Sequence, residues 1–431
     1  MVSHFHIVFL AGLGLSTLAS AQPSDSSSDR VVTEIAEKKA PPSVKSIAPM
    51  DDTNVFFLTK EGEIGVAKFS PGLSLIGWET YSEVQWNAFP ELAIGPDYSV
   101  ILANPREVTQ AFDTDEDLEL DFYQNIISDW PGRDKGVRIT AGPVADQHGR
   151  LLFALSPHAE NSDEKPRATL VAWKPGAEKL AIVTKSQLPI DDFAISRDSL
   201  LAARLSMPGY KDGYYISLTE LPSPELLEES PDAIPNTRPS LLIPAEITEG
   251  SPPTQLSFFH EDGNEKLLLI VPGNRRLIEI VPSRPGSVWQ GAILLRSIAP
   301  FPIETVTEMS PGSLLAGGSS GFSPLESSSA ESYQVTSVAL EESGIALTFS
   351  QPVDRFAGSK PDSYSVQAIR LDGGKSSLPV RPVIESDGLS VILRTPEIAA
   401  KTVLRVVCQN VPSEDGAALL SDCVFFTVHE K

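Results

Sequence analysis

The chain has 431 residues, among them 36 prolines and 29 glycines, and a formal net charge of −23 because 57 acidic side chains outnumber 34 Lys and Arg. This charge argues against nucleic acid, an anionic membrane or an anionic polysaccharide as a partner, since each is bound through a positive surface. The length predicts two or three domains, and the abundant Pro and Gly with few runs of helix formers predict short strands joined by turns.

The first 21 residues have the pattern of a cleaved export signal. An apolar run from Phe5 to Leu18 is too short to cross a bilayer comfortably, and Ala19-Ser20-Ala21 is a signal peptidase pattern. We therefore expect residues 1–21 to be removed and the mature protein to be periplasmic or secreted. No later segment has the apolar length of a membrane span, which predicts no membrane insertion. The polar stretch 22–43 is expected to be a flexible lead-in.

A divergent repeat follows and occupies residues 44–321. Each copy has a short alternating strand, a polar turn such as Pro-Asp, Gln-His-Gly or Glu-Asp-Gly, and a second strand that is almost entirely apolar. The copies begin at Val44, Phe89, Ile139, Leu188, Pro253 and Pro302.

The spacing of these copies is typical of a β-propeller. A blade of four short antiparallel strands needs roughly 40–50 residues, and it buries both faces only when neighbouring blades stack on it in a closed ring. Six copies predict six blades, and the divergence of the repeats leaves five or seven open. Two inserts, at 158–167 and 221–253, are expected to be surface loops.

The second repeat carries the densest group of carboxylates in the chain. Its DxDxDxxxD pattern would direct alternate oxygen ligands to one calcium ion. The four aspartates are Asp113, Asp115, Asp117 and Asp121. Leu118 stands where a calcium loop normally has the glycine of a sharp turn, and Gln124 stands where it has a bidentate glutamate. The sequence therefore leaves two interpretations open, a structural calcium site and a solvated acidic hairpin.

The chain changes character after the last repeat. Residues 322–333 are rich in serine and predict a linker. Residues 334–431 contain at least five short strands with turn signals between them, which is the pattern of an immunoglobulin-like sandwich. The segment IALTFSQPVDRFAGSKPDSYSV from Ile345 also resembles the opening of bacterial Ig-like domains. The predicted fold is therefore all-β, a propeller followed by a small Ig-like β-sandwich.

The two cysteines of the chain lie in this last part. Cys408 and Cys423 fall in strand-like segments separated by a turn-rich stretch, so that a disulfide on adjacent strands and two buried thiols are both open. Neither cysteine belongs to a CxxC or CxxCH motif, which excludes a covalently attached haem and a cysteine zinc site.

Three segments of the chain carry a family resemblance. They are DTDEDLELDFYQNIISDWP from Asp113, GPVADQHGRLLFALSPH from Gly142 and VWQGAILLRSIAPFPIETVTEMSPGSLLAGGSSGF from Val288. In this order they resemble secreted bacterial propellers related to quinoprotein glucose and sorbosone dehydrogenases, several of which also carry an Ig-like segment after the propeller. The resemblance extends over about residues 89–428.

The resemblance implies a site for pyrroloquinoline quinone (PQQ) and calcium over the central channel, with a catalytic histidine and basic groups on the quinone oxygens. The mature chain has four histidines: His148, His158, His260 and His429. None stands in a recognisable catalytic motif, and the DxxGG loops of the active dehydrogenases have no counterpart. We therefore expect the chain to have lost the PQQ site.

Two functions remain open at this point. The favoured one is an exported, non-catalytic binding or scaffold protein that uses a propeller surface to hold a protein or a glycan. The alternative is a PQQ-dependent dehydrogenase of sugars or alcohols. Gly317 to Gly321 match GxSxG, but no helix pattern follows them, so a serine hydrolase is not expected.

Overall fold

A computed structural model of the chain describes residues 43–428. Its internal gaps are 83–91, 96–98, 116, 118, 158–167, 178, 187, 199–200, 207–212, 222–235, 238–239, 246, 262–263, 284–289, 299–300, 326–331, 371–373, 397 and 401. The predicted export signal, almost all of the lead-in and the first insert therefore lie outside the described residues. Within the described part, no helix is long and apolar enough to cross a membrane.

The first three sheets follow one another along the chain, each with four consecutive antiparallel strands. Sheet one contains β1 (Val44–Pro49), β2 (Asn54–Thr59), β3 (Ile64–Phe69) and β4 (Leu75–Ser82). Sheet two contains β5 (Leu92–Ile94), β6 (Val100–Asn104), β7 (Glu107–Phe112) and β8 (Phe122–Ile127). Sheet three contains β9 (Val137–Ala145), β10 (Leu151–Pro157), β11 (Ala168–Trp173) and β12 (Ala181–Ser186).

Three more sheets continue the series. Sheet four is formed by β13 (Asp192–Ile195), β14 (Leu201–Ser206) and β15 (Gly213–Glu220) together with a later strand. The two-residue strand β16 (Asn236–Thr237) joins β12 in parallel, and β17 (Leu241–Pro244) completes sheet four. Sheet five contains β18 (Gln255–Glu261), β19 (Asn264–Val271), β20 (Arg276–Ser283) and β21 (Gln290–Ile298). Sheet six contains β22 (Ile303–Ser310), β23 (Ser313–Gly318) and β24 (Gly321–Leu325).

These six sheets are the blades of a closed ring. The first strand of each blade contacts the first strand of the next, and β22 of blade six returns to β1 of blade one. The second strand of the blades is almost wholly buried, as β2, β10 and β14 illustrate, because neighbouring blades cover both of its faces. The predicted all-β propeller is confirmed, and its described blades number six.

Hydrogen bonds between blades repeat around the inner ring. Ser46 Oγ accepts from the backbone N–H of Leu92 at 3.2 Å, which joins blades one and two. The Asp192 carboxylate accepts from Leu256 N–H, and Gln255 Oε1 accepts from Val306 N–H at 2.9 Å. Each side chain satisfies a backbone donor that the neighbouring blade would otherwise bury unpaired.

The seam between blades six and one depends on Gly317 in β23. A Cβ atom at this position would lie 2.5 Å from Val44 Cγ1 and 2.8 Å from Ile47 Cδ1, both side chains of β1. Phe322 of β24 packs edge-on against Phe57 on the same seam, with ring centroids 5.3 Å apart. The glycines of the GxSxG match therefore lie in a β23–β24 hairpin, where Gly317 permits the close approach of blade one.

We expect Gly317→Leu to lower the free energy of unfolding by about 1–3 kcal/mol, because the added side chain must displace a packed blade. Gly72→Leu is the matched control, since Gly72 is exposed and its nearest non-neighbouring atom, Ser70 Oγ, would be 3.9 Å from an added Cβ. Urea denaturation followed by far-UV circular dichroism measures both variants. Equal midpoints for the two would contradict this account of the seam.

The C-terminal part is a sandwich of two sheets. Its elements are β25 (Val335–Glu341), β26 (Gly344–Phe349), α1 (Arg355–Gly358), β27 (Tyr364–Arg370), β28 (Lys375–Leu378), β29 (Arg381–Ile384), β30 (Ser390–Arg394), β31 (Thr402–Cys408) and β32 (Cys423–Val428). One sheet has the order β25-β26-β30-β29 and the other the order β28-β27-β31-β32. Three single-turn 3-10 helices complete the described elements: Arg133–Lys135, Pro272–Asn274 and Pro361–Ser363.

The sandwich is joined directly to the propeller. Strand β32 pairs antiparallel with β21, the outermost strand of blade five, so that one sheet of eight strands runs from the channel to the far edge of the sandwich. In this ladder Ile293 lies opposite Phe425, and Leu242 N–H of β17 donates to Thr427 Oγ1 at 3.0 Å. The sandwich is therefore packed against blades four and five.

Two expectations from the sequence need correction. Strand β24 reaches Leu325, so residues 322–325 belong to blade six and not to the predicted linker. The predicted surface loop at 221–253 contains β17, the outer strand of blade four, and the short strand β16. Prolines and acidic residues are frequent in this stretch, so its sequence does not indicate a strand. The four residues of β17 are nevertheless packed against neighbouring strands.

The structure has no disulfide between Cys408 and Cys423, so the alternative of a bridge is corrected and the alternative of two thiols stands. Cys423 lies opposite Val407 in the β31–β32 ladder, so Cys408 is offset by one residue and points to the other face of the sheet. Cys408 packs into the core between the two sandwich sheets, while Cys423 packs against the cluster shared with the propeller. Burial raises the pKa of the Cys408 thiol to about 12.

Candidate functional site

The predicted calcium ligands lie in the hairpin between β7 and β8 of blade two. The carboxylates of Asp113, Asp115 and Asp117 offer oxygen atoms that all lie within 4.8 Å of one another. Partial desolvation and the neighbouring charges of Asp117 and Asp121 raise the pKa of Asp115, because crowded carboxylates disfavour ionisation. The structure thus brings three of the four predicted ligands together.

Asp121, the fourth predicted ligand, has a different role in the structure. Its carboxylate accepts hydrogen bonds from Thr114 N–H at 3.0 Å and from the Thr114 hydroxyl at 2.5 Å. These bonds, the hydroxyl bond first, lower the pKa of Asp121. Asp121 therefore fixes the turn on which the other aspartates stand.

Blade one supports this hairpin from one side. Tyr81, a buried residue of β4, donates from its hydroxyl to Asp113 Oδ2 at 3.4 Å, and its carbonyl accepts from Leu120 N–H at 2.9 Å. Burial, followed by the charge of Asp113, raises the pKa of Tyr81 well above its ordinary value. Leu118 lies outside the described residues, and Gln124 pairs with Gln110 in the β7–β8 ladder. The site is thus a β-hairpin tip held against the next blade.

A second candidate site is a cavity of about 460 Å³ on the axis of the ring. All six innermost strands contribute to its wall, which exposes both polar and apolar atoms. One representative from each is Ile47, Ala93, Val144, Phe193, Leu256 and Val306. The charged residues of the described lining are Arg197 and Glu308.

Glu308 is held by three N–H groups at the mouth of this channel. Its Oε1 accepts from the backbone of His260 at 2.8 Å and of Gly312 at 3.0 Å, and its Oε2 lies 3.1 Å from His260 Nδ1. His260 Nε2 lies 3.8 Å from Glu265 Oε1, which also accepts from Arg197 N–H at 2.9 Å. Blades four, five and six thus meet through one polar network at the channel mouth.

Burial, together with the charges of Asp198 and Glu308, raises the pKa of Glu265, although the Arg197 hydrogen bond and His260 oppose the shift. Asp198 itself is fixed by the Ser196 hydroxyl, which donates to Asp198 Oδ1 at 2.6 Å. The channel mouth therefore gathers more acidic than basic groups, and two of the acidic ones, Glu265 and Glu308, are partly buried.

No motif of the sequence marks Arg197, Glu265 or Glu308, and His260 stands in no recognisable catalytic motif. A signal was available: Arg197, His260 and Glu308 all stand just before or within the polar turn of their repeats. Equivalent positions of a closed ring converge at one end of its axis, so aligning the repeats would have brought these residues together. Of the other histidines, His148 is exposed on a turn of blade three, and His158 and His429 lie outside the described residues.

Comparison with known proteins gives matches of structure alone. No known family matches the sequence, and no curated protein matches it. The chain is similar in structure to a gluconolactonase of Xanthomonas campestris (12% identity, TM-score 0.45, covering 68% of this chain and 88% of that one). It is also similar to a glucose dehydrogenase-type oxidoreductase of Thermus thermophilus (14% identity, TM-score 0.44, covering 66% of this chain and 93% of that one). A third similar structure is the calcium structure of a family AA12 enzyme of Trichoderma reesei (11% identity, TM-score 0.45, covering 68% of this chain and 94% of that one).

Proposed function

We propose that this chain is an exported, non-catalytic binding protein, a diverged relative of the quinoprotein dehydrogenase propellers that has lost their chemistry. The observation that carries the proposal is the state of the channel. Its described lining includes a single basic side chain, that of Arg197, and the acidic groups at its mouth already accept hydrogen bonds from backbone N–H groups.

A general base must be able to reach a substrate hydroxyl and receive its proton. Glu308 Oε1 accepts from the backbone N–H of His260 in blade five and of Gly312 in its own turn, and Glu308 Oε2 lies 3.1 Å from His260 Nδ1. These groups serve to join blades, which leaves the rest of the channel wall to bind a ligand. PQQ binding would also call for several basic groups, whereas the described lining contributes Arg197 alone.

The test is a search for dehydrogenase activity. The purified protein is incubated with PQQ and Ca²⁺ and assayed for dye reduction with a panel of sugars and alcohols. We expect no reduction above the free-cofactor control and no change of melting temperature on adding PQQ. Substrate-dependent dye reduction would overturn the proposal and support the alternative, a PQQ-dependent dehydrogenase.

We propose further that the hairpin tip of blade two binds calcium as a structural ion, through Asp113, Asp115 and Asp117. The support is the mutual approach of the three carboxylates within 4.8 Å, since a divalent cation relieves the repulsion between them. Asp121 belongs to the site as a positioning residue through its bonds to Thr114.

Calcium should therefore raise the melting temperature of the wild type by roughly 2 °C or more at saturation. The double variant Asp115→Ala/Asp117→Ala should show no such rise, because it retains only Asp113 of the cluster. Asp51→Ala/Asp52→Ala, altered at a turn of blade one, is a control for general charge effects and should keep the response. Identical calcium responses in wild type and the Asp115/Asp117 variant would remove the metal site.

We also propose the roles of the segments that precede and follow the propeller. We take residues 1–21 as an export signal for a periplasmic or secreted protein, 22–43 as a lead-in, and the sandwich as an Ig-like module. The strand orders β25-β26-β30-β29 and β28-β27-β31-β32 support the last point, since Ig domains arrange their strands as A-B-E-D and C′-C-F-G. The partner class is a protein or a glycan, bound through the propeller.

A further inference from the structure

We propose that residues 30–36 of the lead-in dock on the outer edge of β24 (Gly321–Leu325) as the fourth strand of blade six. The docking surface is the edge of that strand, and its occupant is a segment of the same chain. The strand count of blade six, the place where the lead-in enters the ring and the sequence of the segment each support this pairing.

Blade six has one strand fewer than the other blades among the described residues. Blades one to five each contain four strands, whereas blade six contains β22, β23 and β24. The chain after β24 leads to the sandwich, where Tyr333 is already buried in the core. The outer edge of β24 thus has no partner strand in the described part of the protein, and such an edge is a template for a further strand.

The lead-in enters the ring beside blade six. Val44, the first residue of β1, packs against β23, since a Cβ atom on Gly317 would lie 2.5 Å from Val44 Cγ1. Lys60 N–H donates to the Ser43 carbonyl at 3.1 Å, and the ammonium group of Lys60 pairs with Glu304 of β22. The residues before Ser43 are therefore delivered to the seam between blades six and one.

The length of chain before β1 fits the other links of the ring. Between an outer strand and the innermost strand of the next blade, the chain has between four and ten residues. These links are residues 83–91, 128–136, 187–191, 245–254 and 299–302. Residues 37–43 would link blade six to blade one in the same way with seven residues, and the strand before them would run antiparallel to β24.

Residues 30–36 have the composition of a strand. Their sequence is RVVTEIA, and four of the seven residues, Val31, Val32, Thr33 and Ile35, are β-branched. The polar stretch QPSDSSSD precedes them and EKKAPP follows, and neither has this composition. The two prolines also fix an end for the strand, because proline interrupts a ladder.

The edge of β24 can accept a short strand. Gly318 and Gly321 flank a two-residue hairpin loop and form a hydrogen-bonded pair, so Phe322 and Pro324 direct their backbone groups to the outer edge. Pro324 has no N–H, but the Phe322 N–H and the carbonyls of both residues remain for pairing. We therefore expect the new ladder to be centred on Phe322.

Hydrogen exchange of the mature chain, which begins at Gln22, tests the pairing. We expect the amides of residues 30–36 to exchange at least roughly tenfold more slowly than those of residues 22–29, because ladder hydrogen bonds protect amides from exchange. Exchange over 30–36 as fast as over 22–29 would overturn the proposal.

A photocrosslinker locates the docked segment. p-Benzoylphenylalanine in place of Thr33 or Glu34 should form crosslinks within the same chain to residues 313–325 of blade six, identified by mass spectrometry. The same group in place of Ser26 is the control and should give no such product. Crosslinks confined to another part of the chain, or to a second copy of it, would overturn the assignment to β24.

A proline variant tests the ladder itself. Val32→Pro/Thr33→Pro removes two successive N–H groups, one of which must face β24 because successive N–H groups of a strand point to opposite sides. Exchange over 30–36 should then become as fast as over 22–29, and the melting temperature should fall by about 2 °C. Ser26→Pro/Ser27→Pro is the matched control and should change neither.

Persistent slow exchange over 30–36 in Val32→Pro/Thr33→Pro would contradict pairing as a strand. If this variant does not fold, the exchange and the crosslinks of the otherwise unaltered chain still decide the proposal.

Discussion

Replacing Lys266 by methionine is expected to destabilise the protein by about 3–5 kcal/mol, because two buried carboxylates would lose the ammonium group that lies between them. Lys266 Nζ lies 2.8 Å from Glu261 Oε2 and 2.8 Å from Glu279 Oε1. Lys266, Glu261 and Glu279 stand on adjacent strands of blade five and are 8%, 4% and 3% exposed, respectively. They lie diagonally across the β18–β19 and β19–β20 ladders, so all three side chains share one face.

Lys60→Met is the matched control for this prediction. Lys60 Nζ lies 2.7 Å from Glu304 Oε1, but the two side chains are 41% and 24% exposed, and a pair of this kind contributes at most about 1 kcal/mol. The triple variant Glu261→Leu/Lys266→Met/Glu279→Leu should recover most of the loss, since it removes all three buried charges. Urea denaturation measures all three variants, and a loss in Lys266→Met no larger than in Lys60→Met would contradict the prediction.

The contribution of Lys266 should also depend on pH in one direction. Burial alone would lower its pKa, but the charges and hydrogen bonds of Glu279 and Glu261 outweigh burial and raise the pKa above its ordinary value of 10.5. A group with a raised folded-state pKa stabilises fully below its unfolded pKa and loses this effect as the pH rises through the folded one. The stability difference between wild type and Lys266→Met should therefore be constant near neutral pH and shrink above pH 10.5.

Phe425→Ala is expected to cost about 3–5 kcal/mol, which is the usual range for a buried phenylalanine. Phe425 belongs to the last strand of the sandwich, yet it packs in one cluster with Ile293 of blade five and with Leu241 and Ile243 of blade four. Its loss opens a cavity between the propeller and the sandwich. The variant therefore tests whether the two parts form one structural unit.

Phe356→Ala provides the comparison, because Phe356 is 74% exposed on α1 of the same sandwich. We expect its free energy of unfolding to change by no more than about 0.5 kcal/mol. Calorimetry should give a single transition for the wild type, and Phe425→Ala should lower it as a whole. Two transitions, with only the sandwich transition displaced, would contradict the joined sheet.

The sequence predicted the propeller well because its repeats follow a physical rule. Each predicted copy begins within four residues of an innermost strand, for example Val44 at β1 and Leu188 ahead of β13. The pattern of alternating strand, polar turn and apolar strand arises from the position of each strand between two blades, and this position is the same in every repeat. Local sequence therefore located the innermost strands, although the divergence of the repeats left five or seven blades open.

The candidate sites were less predictable, since they depend on contacts between distant parts of the chain. The approach of Asp113, Asp115 and Asp117 follows from local spacing, but the engagement of Asp121 by Thr114 has no counterpart in the DxDxDxxxD pattern. The channel mouth joins residues of three blades, and its charge is visible only once the ring closes. The β21–β32 pairing also joins distant parts of the chain, and it was missed because the serine-rich stretch predicted a linker between two separate parts.

That pairing also determines the order in which the protein can be completed. Strand β32 (Cys423–Val428) covers the outer edge of a blade whose first strand begins far earlier in the chain, at Gln255. Until β32 has been synthesised, blade five exposes an unpaired strand edge and the apolar side chains that Phe425 later covers. We expect a chain truncated before β32 to aggregate more readily than the full chain, because blade five is then left without its covering strand.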